Sequence, residues 1–152
     1  MSNLKIGDKA PNFNLPTDSN SSIKLESIKD KKKVVYFYPK DDTPGCTVEA
    51  QDFNNLNSEF AAKNTVVIGI SKDNPKSHDK FKEKYNLTFT LASDENLEIC
   101  KLYGSWIEKS MYGRKYMGID RSSFLIDENN NILKIWRKVK VKNHAKEILD
   151  SI

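Results

Sequence analysis

The chain has 152 residues, of which 38% are hydrophobic and 30% charged, with a formal net charge of +4. A chain of this size can bury one hydrophobic core, so we predict a single domain over residues 1–152. The modest positive charge, spread along the chain mostly as lysine, argues against nucleic-acid binding. No apolar run approaches 18 residues, which argues against a membrane-spanning helix.

The first part of the chain predicts three strands. Residues 12–15 and 22–25 flank a run of turn formers at residues 16–20, a pattern typical of two short strands around a turn. Residues 33–38, KVVYFY, are almost continuously apolar and rich in β-branched and aromatic side chains. This composition predicts a strand that is buried on both faces.

Helices and strands are predicted to alternate through the middle of the chain, from the spacing of apolar residues and from helix start and stop signals. The predicted elements are a helix over residues 43–64, a buried strand over 65–71, a charged amphipathic helix over 74–85, a short strand over 88–91 and a helix over 94–103 that ends at Gly104.

The last third of the chain begins with residues 105–120, which show no clean period and predict a loop or an irregular strand. Residues 122–127 and 132–138 are predicted to form a hairpin around an asparagine-rich turn. Residues 144–152 close the chain as a helix.

This order of elements places a βαβ unit at the centre, whose strands are expected to run parallel with a right-handed crossover. The late hairpin would add antiparallel strands to the same sheet. We therefore predict an α/β fold of the thioredoxin-like type, with a mixed central sheet flanked by helices.

The cysteine content also bears on where the protein works. Two cysteines, Cys46 and Cys100, are too few for a disulfide scaffold, and two histidines leave little material for a zinc site. The N-terminal residues lack the apolar segment of a secretory signal and the character of a transit peptide. We expect a cytoplasmic protein with no metal and no cofactor.

Cys46 stands where a strand-to-helix loop meets the first turn of the predicted helix over residues 43–64. Ligand sites collect at the carboxyl ends of parallel strands, and the N-terminal turn of a helix favours a thiolate over a thiol. Thr43 can cap the helix and still present a hydroxyl near the sulfur. On its position alone, Cys46 is open to two interpretations, a nucleophile or a small buried hydrophobic residue.

A resemblance favours the nucleophile. Pro39, Thr43 and Cys46 match the P-x-x-x-T-x-x-C signature of peroxiredoxins. The stretch FYPKDDTPGCTVEAQDF is similar to the bacterioferritin comigratory protein (PrxQ) subfamily of that family. The similarity includes GDKAPNFNL before this stretch and YGSWIEKSMYGRKYMGIDRSSFLID after it, and so extends over nearly the whole chain.

The resemblance implies a thiol-dependent peroxidase that reduces hydrogen peroxide and organic hydroperoxides in antioxidant defence. Cys46 would be oxidised to a sulfenic acid, Thr43 would hydrogen-bond the peroxide, and Pro39 would shield the pocket. Arg121 would fix the thiolate and polarise the peroxide, and Glu49 would orient the groups of the site. A guanidinium suits this work because it offers several donors in a fixed fork.

Without the resemblance, non-catalytic interpretations of these residues stay open. Arg121 could form a surface salt bridge, and Glu49 could be a solvated acid in a first helical turn. His78 and His144 lie in charged helical stretches, and we predict that both are solvated surface residues.

The resemblance also raises the question of a second, resolving cysteine. Many relatives carry a resolving cysteine five residues after the first, where this chain has Gln51, and others carry it around Phe81 and Lys82. The other thiol here, Cys100, lies in an apolar segment where a buried cysteine is ordinary. Cys100 could resolve the sulfenic acid, or an external thiol could complete the cycle of a one-cysteine enzyme; we favour the second slightly.

The predicted partners are the peroxide and thioredoxin, or another thiol reductant, and the chain is expected to act as a monomer or a weak dimer. The alternative function is a redox sensor or chaperone-like binding protein of the same fold, whose thiol does not turn over efficiently.

Overall fold

A computed structural model describes residues 4–17 and 21–152 of the chain. The strands are β1 Asn14–Pro16, β2 Ser22–Lys24, β3 Lys32–Phe37, β4 Thr65–Ser71, β5 Thr90–Ser93, β6 Trp106–Met111, β7 Arg114–Ile119, β8 Ser122–Ile126 and β9 Ile132–Trp136. The helices are α1 Pro44–Asn55, α2 Asn57–Ala62, α3 Pro75–Tyr85, α4 Glu98–Leu102 and α5 His144–Asp150. No helix among these described residues is long and apolar enough to cross a membrane.

Five strands form the central sheet, in the order β5-β4-β3-β8-β9. β3, β4 and β5 run parallel, whereas β8 is antiparallel to β3 and β9 is antiparallel to β8. The predicted mixed sheet flanked by helices is confirmed, because the βαβ crossovers and the late hairpin contribute to one sheet as expected.

Side chains of β3 alternate between the two faces of the sheet, and each face carries its own hydrophobic core. Val34, Tyr36 and Tyr38 point to one face, called here the α1 face, which is covered by α1, α2, α3 and α5. Val35 and Phe37 point to the other, called here the α4 face, which is covered by α4 and by the residues of the N-terminal hairpin β1–β2. The predicted turn of that hairpin lies partly outside the described residues, since residues 18–20 are among those not described.

Several element boundaries differ from those predicted. The helix expected over residues 43–64 is interrupted at Leu56 and becomes α1 and α2, and the helix expected over 94–103 is reduced to α4. The segment 105–120, expected to be a loop or irregular strand, is the regular hairpin β6–β7. Its turn residues Tyr112 and Gly113 have φ of 50° and 78°, as a two-residue turn with left-handed geometry requires.

The prediction that both histidines are solvated was wrong. His78 is fully buried, and His144 is 3% exposed. The His78 ring nitrogens lie 2.7 Å from Asp41 Oδ2 and 3.1 Å from the carbonyl oxygen of Ala92, and His144 Nε2 lies 2.8 Å from Ser123 Oγ. Burial is tolerated because these polar atoms are hydrogen-bonded.

Candidate active site

Cys46 occupies the third position of α1, and its side chain is 2% exposed. Thr43 is the N-cap residue and Pro44 the first helical residue, a position where its missing N–H costs nothing. The backbone N–H groups at the start of a helix have no carbonyl partner within it. Those of Gly45 and Cys46 therefore place positive partial charge beside the sulfur.

Arg121, which lies 75 positions after Cys46 in the sequence, also contacts the sulfur. It precedes β8, whose first residue, Ser122, is paired with Phe37 at the end of β3. This register puts Arg121 beside the carboxyl end of β3, where the chain leads into α1. Arg121 Nη2 donates to Cys46 Sγ over 3.3 Å.

The second arm of the same guanidinium holds Glu49, one helical turn after Cys46. Arg121 Nη1 donates to Glu49 Oε1 over 2.7 Å, while Glu49 Oε2 is buried without a hydrogen-bond partner. Burial raises the pKa of Glu49 to about 7, although the charge of Arg121 offsets part of that effect. For Arg121, burial lowers the pKa, but the charges of Glu49 and Cys46 outweigh it and the pKa is raised.

Gly45 lets the guanidinium come this close to the helix. A β-carbon built at Gly45 would lie 3.2 Å from Arg121 Nη2, tighter than an ordinary contact. A side chain at position 45 would therefore press on the arginine that contacts the sulfur.

The loop of residues 39–43, called here the pocket loop, carries the other two predicted site residues. Thr43 and Pro39 are both half-buried. The Thr43 hydroxyl donates to the carbonyl oxygen of Lys40 over 2.9 Å and makes no capping bond to the helix. Its proton is thus engaged, and its oxygen lone pairs are left to accept a hydrogen bond.

The structure brings Cys46, Arg121 and Glu49 into one contact network, with Thr43 at the N-cap of the same helix. A thiolate at this position meets permanent charge from Arg121 and dipoles from the helix start. The same donors can stabilise negative charge on an oxygen that leaves as the sulfur attacks. Among the described residues, no cluster of three or more His, Cys, Asp or Glu side chains is arranged to hold a metal ion.

The model of the AhpC/TSA family matches residues 6–135 of the chain. The chain belongs to the AhpC/TSA family. This peroxiredoxin is 49% identical over 146 residues to the putative peroxiredoxin bcp of Coxiella burnetii, covering 96% of this chain and 97% of that relative. It is 46% identical over 149 residues to peroxiredoxin Bcp of Bacillus subtilis, covering 98% and 95% of the two chains.

Solved structures agree with this assignment. A crystal structure of Xylella fastidiosa PrxQ superposes with a TM-score of 0.93 at 39% identity, covering 99% of this chain and 96% of that one. A structure of the Xanthomonas campestris bacterioferritin comigratory protein, studied for its alkyl peroxide reduction activity, gives a TM-score of 0.87 at 39% identity, with 91% and 88% covered. The predicted thioredoxin-like fold and the resemblance to the PrxQ subfamily are both confirmed.

The two cysteines of this peroxiredoxin lie on opposite faces of the central sheet. Cys46 belongs to the core of the α1 face and Cys100 to the core of the α4 face. Cys100 is 1% exposed, and burial, reinforced by the charges of Asp94 and Asp120, raises the pKa of its thiol to about 12. A resolving role for Cys100 stays a prediction, and this placement disfavours it.

The positions at which the resemblance implies a resolving cysteine differ in exposure. Gln51 is exposed on α1, whereas Phe81 is buried on α3. A thiol at position 51 would face solvent about 1.4 helical turns after Cys46 in this conformation.

Sequence reasoning missed a group of polar residues behind the pocket loop. Asp41 Oδ1 accepts from the Tyr38 hydroxyl over 2.5 Å, and Asp41 Oδ2 accepts from the Ser77 hydroxyl over 2.8 Å and lies 2.7 Å from His78 Nδ1. One available signal was the spacing of His78 and Phe81, which places the histidine on the apolar face of α3.

Proposed function

We propose that this peroxiredoxin reduces hydrogen peroxide and organic hydroperoxides with Cys46 as the nucleophile. The observation that carries the proposal is the contact of one guanidinium with both Cys46 Sγ and Glu49 Oε1, at 3.3 and 2.7 Å. A permanent charge held against the sulfur is placed to stabilise the negative charge that moves from sulfur to oxygen as peroxide is attacked.

In the first step, the Cys46 thiolate attacks the terminal peroxide oxygen. An S–O bond forms as the O–O bond breaks, and the electron pair of the O–O bond leaves with the second oxygen, which takes a proton to become water or an alcohol. Cys46 is left as a sulfenic acid. Arg121 stabilises the charge on both the sulfur and the leaving oxygen, and Thr43 accepts a hydrogen bond from the hydroperoxide.

Pro39 and Glu49 act on this step without bonding to the peroxide. Pro39, with its fixed φ, stiffens the pocket loop and shields the sulfur from water. Glu49 sets the orientation of Arg121 by holding one arm of its fork.

The oxidised enzyme then returns to the thiol in two exchanges with an external reductant, thioredoxin or a similar thiol donor. The first thiol displaces water from the sulfenic acid and forms a mixed disulfide, and the second thiol releases Cys46 and leaves the reductant as a disulfide. The separation of Cys100 from Cys46 by the sheet supports this one-cysteine route. We propose that the enzyme works in the cytoplasm, where thiol donors are kept reduced, as a monomer or weak dimer.

A steady-state peroxidase assay with a thioredoxin system and with a small dithiol tests the proposal. Cys46→Ser should abolish turnover while circular dichroism shows a retained fold, because serine is nearly isosteric but a much weaker nucleophile. Cys100→Ser is the matched control and should turn over. Turnover at the wild-type rate in Cys46→Ser would refute the proposal. A single stoichiometric oxidation of the wild-type protein, without turnover, would favour a redox sensor.

A further inference from the structure

The peptide unit between Lys40 and Asp41 is held on both sides. Its carbonyl oxygen accepts the Thr43 hydroxyl over 2.9 Å, and its N–H donates to Asp73 Oδ2 over 2.8 Å. Because a peptide unit is planar and rigid, its carbonyl cannot turn without its N–H turning as well. The carboxylate of Asp73 thus determines where the partner of the Thr43 hydroxyl lies.

Asp73 is itself anchored to the central sheet. Its Oδ2 also accepts from the Ser71 hydroxyl over 2.7 Å, and its own N–H donates to Ser71 Oγ over 3.2 Å. Ser71 is the last residue of β4, which runs parallel beside β3, and the N–H of Tyr38 donates to the carbonyl of Ile70. The end of β4 therefore supports the start of the pocket loop.

Contacts of the Asp41 side chain also restrain this peptide unit. It is 7% exposed and contacts Tyr38, Ser77 and His78 within 2.8 Å. The ring of His78 is fixed in turn by its contact with the carbonyl of Ala92. With its side chain and its N–H both held, Asp41 has little freedom to let the peptide unit rotate.

We infer that Asp73 is a positioning residue for peroxide reduction, acting on the Thr43 hydroxyl through the Lys40–Asp41 peptide unit. The Asp73 carboxylate fixes the carbonyl of Lys40, which engages the Thr43 proton and leaves the oxygen lone pairs turned toward a hydroperoxide. The inference rests on the proposed function, because it assigns a task to Thr43 in the attack by Cys46. Asp73 touches neither the sulfur nor the peroxide.

A double-mutant cycle tests this inference. The measurement is the second-order rate constant for oxidation of Cys46 by hydrogen peroxide, from acid quench at set times and mass spectrometry of the thiol that is left. Asp73→Ala should lower the rate constant about 3- to 10-fold, the effect of one lost hydrogen bond. Asp73→Asn should restore part of the loss, because an amide oxygen can still accept from the Asp41 N–H.

The second arm of the cycle uses Thr43→Val, which removes the hydroxyl; the hydroxyl makes no capping bond to α1. If Asp73 acts through that hydroxyl, Asp73→Ala should change the rate constant less than about twofold in the Thr43→Val background. Equal losses in the two backgrounds, or a wild-type rate constant in Asp73→Ala, would overturn the inference.

Asp94→Ala is the matched control for a merely structural effect. Asp94 also follows a parallel strand and also accepts backbone N–H groups, those of Ile99 and Cys100, but it does so on the α4 face. We expect this variant to lose stability in urea and to keep the wild-type rate constant. An equal loss of rate in Asp94→Ala would show that general loosening explains the effect of Asp73→Ala and would refute the positioning role.

Failure of the inference and failure of the proposed function give different results. If the wild-type protein forms the sulfenic acid at Cys46 and the cycle is additive, only the positioning role of Asp73 is lost. If wild-type Cys46 does not react with peroxide at all, the proposed function fails and the inference fails with it.

Discussion

Arg121 is the residue on which the geometry of the site converges. One planar group donates to Cys46 Sγ and to Glu49 Oε1, and Gly45 leaves the space that it occupies. A group that moves toward one partner must turn away from the other, so the position of the sulfur and that of Glu49 are coupled through a single side chain.

Replacing Arg121 by lysine separates charge from geometry. Arg121→Lys keeps the positive charge but has one nitrogen on a flexible stem, which cannot reproduce both arms of the fork. We expect kcat/KM for peroxide to fall about 10- to 100-fold, as for the loss of one hydrogen bond to a charged group.

Arg137→Lys is the matched control for that variant in the same steady-state assay. Arg137 also uses both arms, but on the carbonyls of Tyr103 and Gly104, outside the pocket loop and α1. Its replacement should leave kcat/KM unchanged. Wild-type kcat/KM in Arg121→Lys would contradict the forked role of Arg121.

Glu49 gives the stability of the protein a pH dependence of predictable sign. Its pKa is about 7 in the folded chain against an ordinary value of 4.5, so the folded state binds the Glu49 proton more tightly than the unfolded state does. The stability that this proton contributes is complete below about pH 4.5 and is lost as the pH rises through about 7. Glutamine at this position carries no titrating proton.

The difference between wild type and Glu49→Gln isolates this effect from other titrating groups. From pH 4.5 to pH 8, the free energy of unfolding of the wild type should fall by about 3 kcal/mol relative to that of Glu49→Gln. Urea unfolding at a series of pH values measures both. Parallel profiles for the two proteins would show that Glu49 has an ordinary carboxyl group.

Among the elements, those with a clear hydrophobic pattern were placed well from the sequence. β3, β4, α3 and β8 lie within one or two residues of their predicted bounds. The break at Leu56 and the hairpin β6–β7 were missed for different reasons. Leu56 carries no helix-breaking side chain, and the exposed hairpin buries too few side chains to impose a strong period of two.

Without the family resemblance, the sequence does not show which elements lie side by side in the fold. Cys46 and Arg121 are 75 positions apart, and only the register of β8 on β3 brings them together. The residues that hold the pocket loop in place were missed for a similar reason. Asp41 and Asp73 look like solvated loop residues in the sequence, because nothing local reveals that Asp41 is buried against α3 or that Asp73 accepts the N–H of Asp41.

In the molecule as a whole, the central sheet separates the thiols of Cys46 and Cys100. A disulfide needs Cα atoms within about 7 Å, and Cys46 and Cys100 belong to cores on opposite faces. After one equivalent of peroxide, we expect mass spectrometry to find a trapped sulfenic acid on Cys46 and Cys100 as a free thiol. Cys100→Ser should give the same Cys46 product, and a peptide with Cys46 linked to Cys100 would contradict the one-cysteine route.

The burial of Cys46 has a kinetic consequence for the proposed cycle. Cys46 is 2% exposed, so a protein thiol can reach its sulfur only after the first turn of α1 moves, whereas the proposed peroxide substrates are far smaller. Access becomes a conformational step that precedes bond exchange. With a protein reductant at saturating concentration, the turnover rate then approaches the frequency of that opening and no longer depends on the chemistry of the attacking thiol.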